Sequence, residues 1–321
     1  MRRVPSGVAI LALLAVSAAA VGGSLFAGST PFGETTSVIL WEVRLGRAAL
    51  AFLAGAALAA SGVVFQGLFR NALADPFVAG VSGGAALGAV TMTVFGVEAS
   101  VLGLGSSVAA AFAGGLGAAF LAYRIAQVRG RVPVASLLLA GFAIGSFCGA
   151  VVSILLLFNS RSWGEVVQWL MGFINDTNPW DRVAVLAPCL AAALAVMAVF
   201  GRDLDLLMLG EEPAAQLGVD VERAKRWLLA AGAVSAAAAV ATCGIVGFVG
   251  LIVPHVLRSA VGPRHRGLLW SAALGGGALL VLADIAARVA SPGRPLPVGA
   301  VTALLGAPFF ALLVRKKAAR A

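Results

Sequence analysis

Few side chains in this sequence could do chemistry. Its 321 residues include only two histidines, His255 and His265, and three cysteines, Cys148, Cys189 and Cys243. His255 lies in GIVGFVGLIVPHVLR (residues 244–258), an apolar run interrupted by Pro254, His255 and Arg258 in a way a plain anchor would not need. Next to so few partners, His255 reads as a structural hydrogen-bonding group rather than a ligand. Asp284 is the one clear ionisable group inside an apolar stretch, where such groups are expensive and usually functional. Arg288 follows it by four residues, so both occupy one helix face as a mutually neutralising pair; a proton relay is the other reading. The cysteines show no metal or redox spacing and read as small buried hydrophobes.

The absences are equally informative. The lysines are Lys225, Lys316 and Lys317, and none follows a glycine, so no phosphate-cradling P-loop exists. No zinc-protease motif, nucleophile elbow or plausible hydrolytic triad occurs. These patterns argue against an enzyme and predict neither a catalytic residue, a metal site nor a cofactor bound by this chain. Work against a gradient would draw on a partner or a coupled ion, and the poverty of intramembrane charge disfavours the ion.

The elements that must position these residues are membrane helices. Hydrophobic residues make up 60% of the chain and charged ones 12%. Apolar stretches of about 20 residues, each able to cross about 30 Å of hydrocarbon, recur along its length. Ten spans are expected: 8–28, 46–67, 76–96, 100–123, 133–158, 183–201, 227–243, 245–258, 267–287 and 297–314. The eighth is short and broken by Pro254. The fold class is therefore all-α and polytopic, a single transmembrane domain over 1–321. The first stretch also resembles a signal peptide, but its apolar run continues to about Ala27 and the span count needs it. Forty glycines suit close helix packing in lipid, though a GC-rich genome would also enrich them.

With both termini in the cytoplasm, 17 of the 23 lysines and arginines fall inside. The net charge of +9 thus reflects membrane orientation, not nucleic-acid binding. Six arginines run against the bias: Arg44, Arg47, Arg161, Arg182, Arg288 and Arg294.

Two polar stretches interrupt the spans on the cytoplasmic side. In RNALADPF (70–77), Asn71 and Asp75 suit turn and cap positions and Pro76 the first helical turn, as in a plain connector or a gate between two spans. The loop at about 202–226 carries Asp203, Asp205, Glu211 and Glu212 early and Arg223, Lys225 and Arg226 late, a pattern for short helices with satisfied dipoles. It contains LGEEPAAQLGV (209–219) and is either a solvated loop or a docking surface for a cytosolic partner.

RNALADPF with AGVSGGAALGA (79–89), WLMG (169–172), LGEEPAAQLGV, GFVGLIVPHVLR (247–258) and LPVGAVTALLGAPFF (296–310) together resemble the FecCD/BtuC-like permeases of type II ABC importers for iron–siderophores, haem and cobalamin. The resemblance runs from about Arg44 to the C-terminus. Gly46 and Ala72 depart from prolines frequent in the family. The resemblance implies a BtuC-like permease fold in the bacterial or archaeal cytoplasmic membrane, a homodimer with the pathway at its interface, and alternating access. It implies two cytosolic ATPase subunits, which carry ATP and Mg, and an extracytoplasmic substrate-binding protein. Asn71 and Leu73 match a cytoplasmic gate. Leu209, Gly210, Glu211, Glu212, Ala215, Leu217 and Gly218 match the segment that couples to the ATPase. Arg44, Arg47 and Arg288 match arginines that receive acidic residues of the binding protein; ordinary snorkelling is the other reading. Pro254, His255 and Arg258 belong to the signature without an assigned role. An iron–siderophore is the first expected cargo and haem or cobalamin the alternative; an ion-coupled secondary transporter is the more distant one.

Overall fold

The computed structural model describes residues 6–27, 36–97, 99–101, 104–159, 162–174, 178–291 and 296–318. Arg2, Arg3, Arg161 and Arg294 lie outside the described residues. Among the described residues, seven helices are long and apolar enough to cross a membrane. They are α1 (Ser6–Phe26), α2 (Gly46–Leu68), α4 (Ser106–Ala126), α5 (Val134–Phe158), α7 (Pro179–Val199), α10 (Val221–Cys243) and α12 (His265–Ala290), with α2 extended upstream by a π-helical segment, Ile39–Leu45. Three shorter apolar helices, α3 (Val81–Val94), α11 (Val249–Val261) and α13 (Val298–Ala318), stand where the third, eighth and tenth spans were expected. Short helices α6 (Trp163–Leu170), α8 (Gly201–Leu207) and α9 (Glu211–Gln216) occupy the two longest loops. Among the described residues the only paired strands are two-residue pieces ahead of α4.

Helix α2 is the axis. Its window is 83% buried, against 22% for α5. Small residues allow this. A Cβ on Gly55 would fall 2.2 Å from the Gly276 carbonyl oxygen of α12, and one on Gly62 would fall 1.8 Å from that of Gly250 in α11. Both contacts require glycine, because backbone meets backbone. Across the α2–α10 crossing, Ser61 Oγ donates to the Gly232 carbonyl and Ser235 Oγ to the Ala57 carbonyl, each at 2.9 Å. These bonds satisfy both hydroxyls where water is excluded.

Helix α1 packs along α12, and Ser17 Oγ donates to the Leu274 carbonyl at 3.3 Å. It is an integrated span of this fold. Cys148 and Cys243 are buried as expected, whereas Cys189 is only half-buried. The loop expected to end near 226 is shorter. Asp220 Oδ1 accepts the Arg223 amide at 3.1 Å and starts α10 at Val221, so Arg223, Lys225 and Arg226 belong to its first turns.

Candidate functional site

At one end of the bundle, Arg47, Asp284 and Arg288 form a buried cluster. Arg47 donates through Nε to Asp284 Oδ1 at 3.0 Å and Oδ2 at 3.1 Å, and through Nη2 to Oδ1 at 2.7 Å. Arg288 Nε lies 3.1 Å from Asp284 Oδ2, as the four-residue spacing requires, although without hydrogen-bond alignment. The guanidinium of Arg288 also reaches the end of α1, where it donates to the Ser24 hydroxyl at 2.6 Å and to the Ala27 carbonyl. Arg44 donates to the Leu25 carbonyl at 2.6 Å. Arg44 and Arg288 therefore satisfy carbonyls that the last turn of α1 leaves without helical partners.

The three arginines matched to binding-protein docking are bonded within this chain. Arg44 is 4% exposed and Arg47 is 2% exposed. Their guanidinium groups donate to Asp284 and to an α1 carbonyl in a water-poor interior. Arg182, also counted against the charge bias, donates to the Thr242 carbonyl at 2.7 Å.

At the opposite end, the turn after α2 is built as its residues predict. Asn71 Oδ1 accepts the Leu73 amide at 3.1 Å, and Asp75 Oδ1 accepts the Phe77 amide at 2.8 Å, capping a 3₁₀ turn, Pro76–Ala79. Burial pushes the Asp75 carboxyl above its usual value, and the Phe77 amide only partly offsets this. Asn71 is exposed and Leu73 half-buried at the surface of this turn.

The segment expected to couple to an ATPase, residues 209–218, stands beside it, where a Cβ on Gly210 would fall 3.8 Å from Arg70 Nη1. Ala214 is fully buried and anchors α9, while Leu209 and Leu217 are 64% and 61% exposed on either side. Lys225 was not singled out as a site residue, yet it joins three elements. Its Nζ lies 2.7 Å from Glu211 Oε1 of α9 and 3.2 Å from Glu222 Oε1 of α10, and it donates to the Val132 carbonyl just before α5 at 3.3 Å. It is the only lysine outside the C-terminal pair, a rarity that could have flagged it.

Asp205 on α8 accepts both the Nδ1 contact of His265 at 2.6 Å and its backbone amide at 2.9 Å, pinning the start of α12. Burial raises the Asp205 carboxyl, but the His265 hydrogen bonds and the charges of His265 and Arg264 outweigh it and leave the group below its usual value. In α11, His255 Nδ1 and Arg258 Nε and Nη2 are buried without hydrogen-bond partners. Pro254 is buried, and Gln66 donates to the Leu251 carbonyl at 3.1 Å, fixing the helix start against α2. Phe248 enters α11 at a φ of 68° and packs on Gly306 of α13, a strained position that residue type alone does not reveal. Among the described residues no group of three or more His, Cys, Asp or Glu side chains is placed to hold a metal ion.

A bundle of about ten apolar helices with a polar helical segment at one end defines a multi-pass membrane protein. Residues 7–316 match the FecCD transport family, and the chain belongs to it. It is 47% identical to the cobalamin import system permease protein BtuC of Halobacterium salinarum over 92% of this chain and 79% of that protein. It is 38% identical to the hemin transport system permease protein HmuU of Yersinia pestis, over 96% and 93% of the two chains. Identity to the Fe(3+) dicitrate transport system permease protein FecD of Escherichia coli is also 38%, over 89% and 88%. The fold superposes with a TM-score of 0.86, at 31% identity, on a solved inward-facing transporter assigned to the metal-chelate type of ABC transporters, covering 97% of this chain and 99% of that one.

Proposed function

We propose that this chain is the permease subunit of an ABC importer that carries a metal chelate inward across the cytoplasmic membrane. Relatives named for cobalamin, hemin and ferric dicitrate share one cargo chemistry, a metal ion held in an organic ligand. The observation that carries the reading is the contrast between the two ends of the bundle. Asp284, the one carboxylate suited to ion coupling, is held by two arginines, while exposed Leu209 and Leu217 flank α9 beside Glu212 at the end that this reading places in the cytosol. Apolar side chains flanking a short anchored helix suit insertion into a cleft of a cytosolic ATPase. That partner would carry ATP and Mg.

In this reading two copies form the pathway at their interface, both termini are cytoplasmic, and Asn71 and Leu73 narrow the inner end. Movement of 209–218 on ATP binding shifts the neighbouring turn, and cargo passes when the docked binding protein and ATP favour the same conformer. A binding protein docking through Arg44, Arg47 and Arg288 would have to exchange its carboxylates for Asp284 and the α1 carbonyls. The 47% identity to a cobalamin permease makes cobalamin the first cargo to test, ahead of ferric siderophore and haem.

The test is an affinity purification of the tagged chain in mild detergent, then reconstitution with the co-purifying proteins and uptake assays with cyanocobalamin, a ferric siderophore and haem. An ATPase at equal stoichiometry and ATP-dependent uptake of one chelate is the expected result. A homodimer that accumulates cargo without any ATPase overturns the proposal in favour of ion coupling.

A further inference from the structure

We propose that a cleft between α4 and α10 binds an acyl chain of an anionic phospholipid from the cytoplasmic leaflet. The cleft has a volume of about 350 Å³ and is walled by Leu116 and Ala119 of α4 and Leu229 and Ala233 of α10, with Phe65 of α2 also lining it. This volume stands at the small end of small-molecule sites, and its mainly apolar lining suits an acyl chain. Its lining runs from Leu116 to Tyr123 along α4 and from Ala233 back to Arg226 along α10. Seven residues of rise on each helix give a slot about 10 Å long, parallel to the bundle. Only one end is polar, and there the last turns of α4 meet the first turns of α10.

That end carries unused polar groups. Arg226 is exposed and has no ion-pair or hydrogen-bond partner among the described residues. The Tyr123 hydroxyl, on the chain's single tyrosine, also makes no side-chain hydrogen bond there. Arg124 lies with its guanidinium carbon 6.0 Å from the ring centroid of Phe120, which itself lines the cleft. Two cations on two helices thus flank the mouth, with a phenol between apolar walls and the head-group level. A phosphodiester at the mouth would accept from all three groups while its chain fills the slot. A zwitterionic lipid would bring its own cation against Arg124 and Arg226. The orientation follows the positive-inside bias, which places this end in the cytoplasmic leaflet, the source of such lipids. The site therefore depends on orientation and not on cargo or ATPase.

The experiment is native mass spectrometry of the full chain exchanged into matched micelles of phosphatidylglycerol and phosphatidylcholine. Preferential retention of phosphatidylglycerol is expected. Each of R124Q and R226Q should reduce that preference about fivefold, while R226K keeps most of it. A230W, which fills the cleft from its rim, should reduce retention of both lipids while the protein stays monodisperse. Equal retention of the two lipids by the unmodified chain overturns the proposal. So does a preference untouched by the R124Q/R226Q pair, or a crosslink between cysteines at 230 showing that a second copy covers the cleft. Uptake failing in the reconstituted importer with lipid preference intact would refute the transport reading alone.

Discussion

Asn in place of Asp284 should destabilise the protein without changing its shape. The carboxylate is fully buried, Arg47 and Arg288 have side-chain exposures of 3% and 10%, and four N–O contacts of 2.7–3.1 Å converge on two oxygens. Asn is nearly isosteric, so no cavity opens, and the loss is electrostatic. Two guanidinium groups would remain in the interior without their counter-charge. Breaking a buried pair by removing one partner costs about 3–5 kcal/mol. Arg288 retains the Ser24 hydroxyl and the Ala27 carbonyl, which places D284N toward the lower end of that range. R47M should cost less than D284N, because Asp284 keeps Arg288. Combining D284N with R47M should cost less than the sum of the two, since the pair shares one interaction. Unfolding in mixed micelles titrated with SDS, followed by tryptophan fluorescence, gives the three free energies of the cycle. If D284N unfolds within about 1 kcal/mol of the unmodified chain while uptake is abolished, the structural account fails. Asp284 would then be an intramembrane group acting in transport itself.

Gly62→Ala should destabilise the α2–α11 crossing by at least about 1–3 kcal/mol, because its Cβ would lie 1.8 Å from a backbone oxygen that no rotamer change can move; the same SDS titration checks it, and an unchanged midpoint contradicts the contact. Lys225→Met removes the cation between Glu211 and Glu222 and frees α9 from α10 and from the Val132 carbonyl. Uptake by the reconstituted complex should fall about 2- to 30-fold with ATPase binding retained, and Lys225→Arg should recover much of it; full uptake in the Met variant would exclude Lys225 from coupling. Asp205 has a folded pKa lowered from 3.8, so its contribution to stability is complete above the unfolded value and is lost as pH falls through the folded one. The stability gap between the unmodified chain and Asp205→Asn should accordingly be constant near neutral pH and shrink below about pH 4, measured by thermal unfolding across pH; a gap that stays unchanged through the acid range contradicts the assignment.

The spans were legible because partition into hydrocarbon depends on local composition, which a window of sequence contains. Their roles were not. The windows at Ile39–Leu68 and Val134–Phe158 have nearly equal hydropathy, yet one is 83% and the other 22% buried. Lipid and protein interior are equally apolar, so hydropathy cannot distinguish them; the small residues Gly55, Ser61 and Gly62 carry that information through the close approaches they permit. Local polar chemistry was also legible. The Asn71 and Asp75 turn bonds span two residues, and the Asp284–Arg288 contact spans four. The Arg47–Asp284 bond spans 237 residues and the Arg288–Ser24 bond 264, so neither leaves a trace in spacing. What did leave a trace was anomaly. With both termini taken as cytoplasmic, Arg44, Arg47 and Arg288 oppose the positive-inside bias, and an arginine kept there needs a specific acceptor. The acceptors lie in the same chain: Asp284 for Arg47, and the end of α1 for Arg44 and Arg288. A positive-inside violation therefore marks a cation with a fixed partner, and burial decides whether that partner is internal. At 2–4% exposure for Arg44 and Arg47 it is internal, so any protein docking on this face must first compete with Asp284 and the α1 carbonyls.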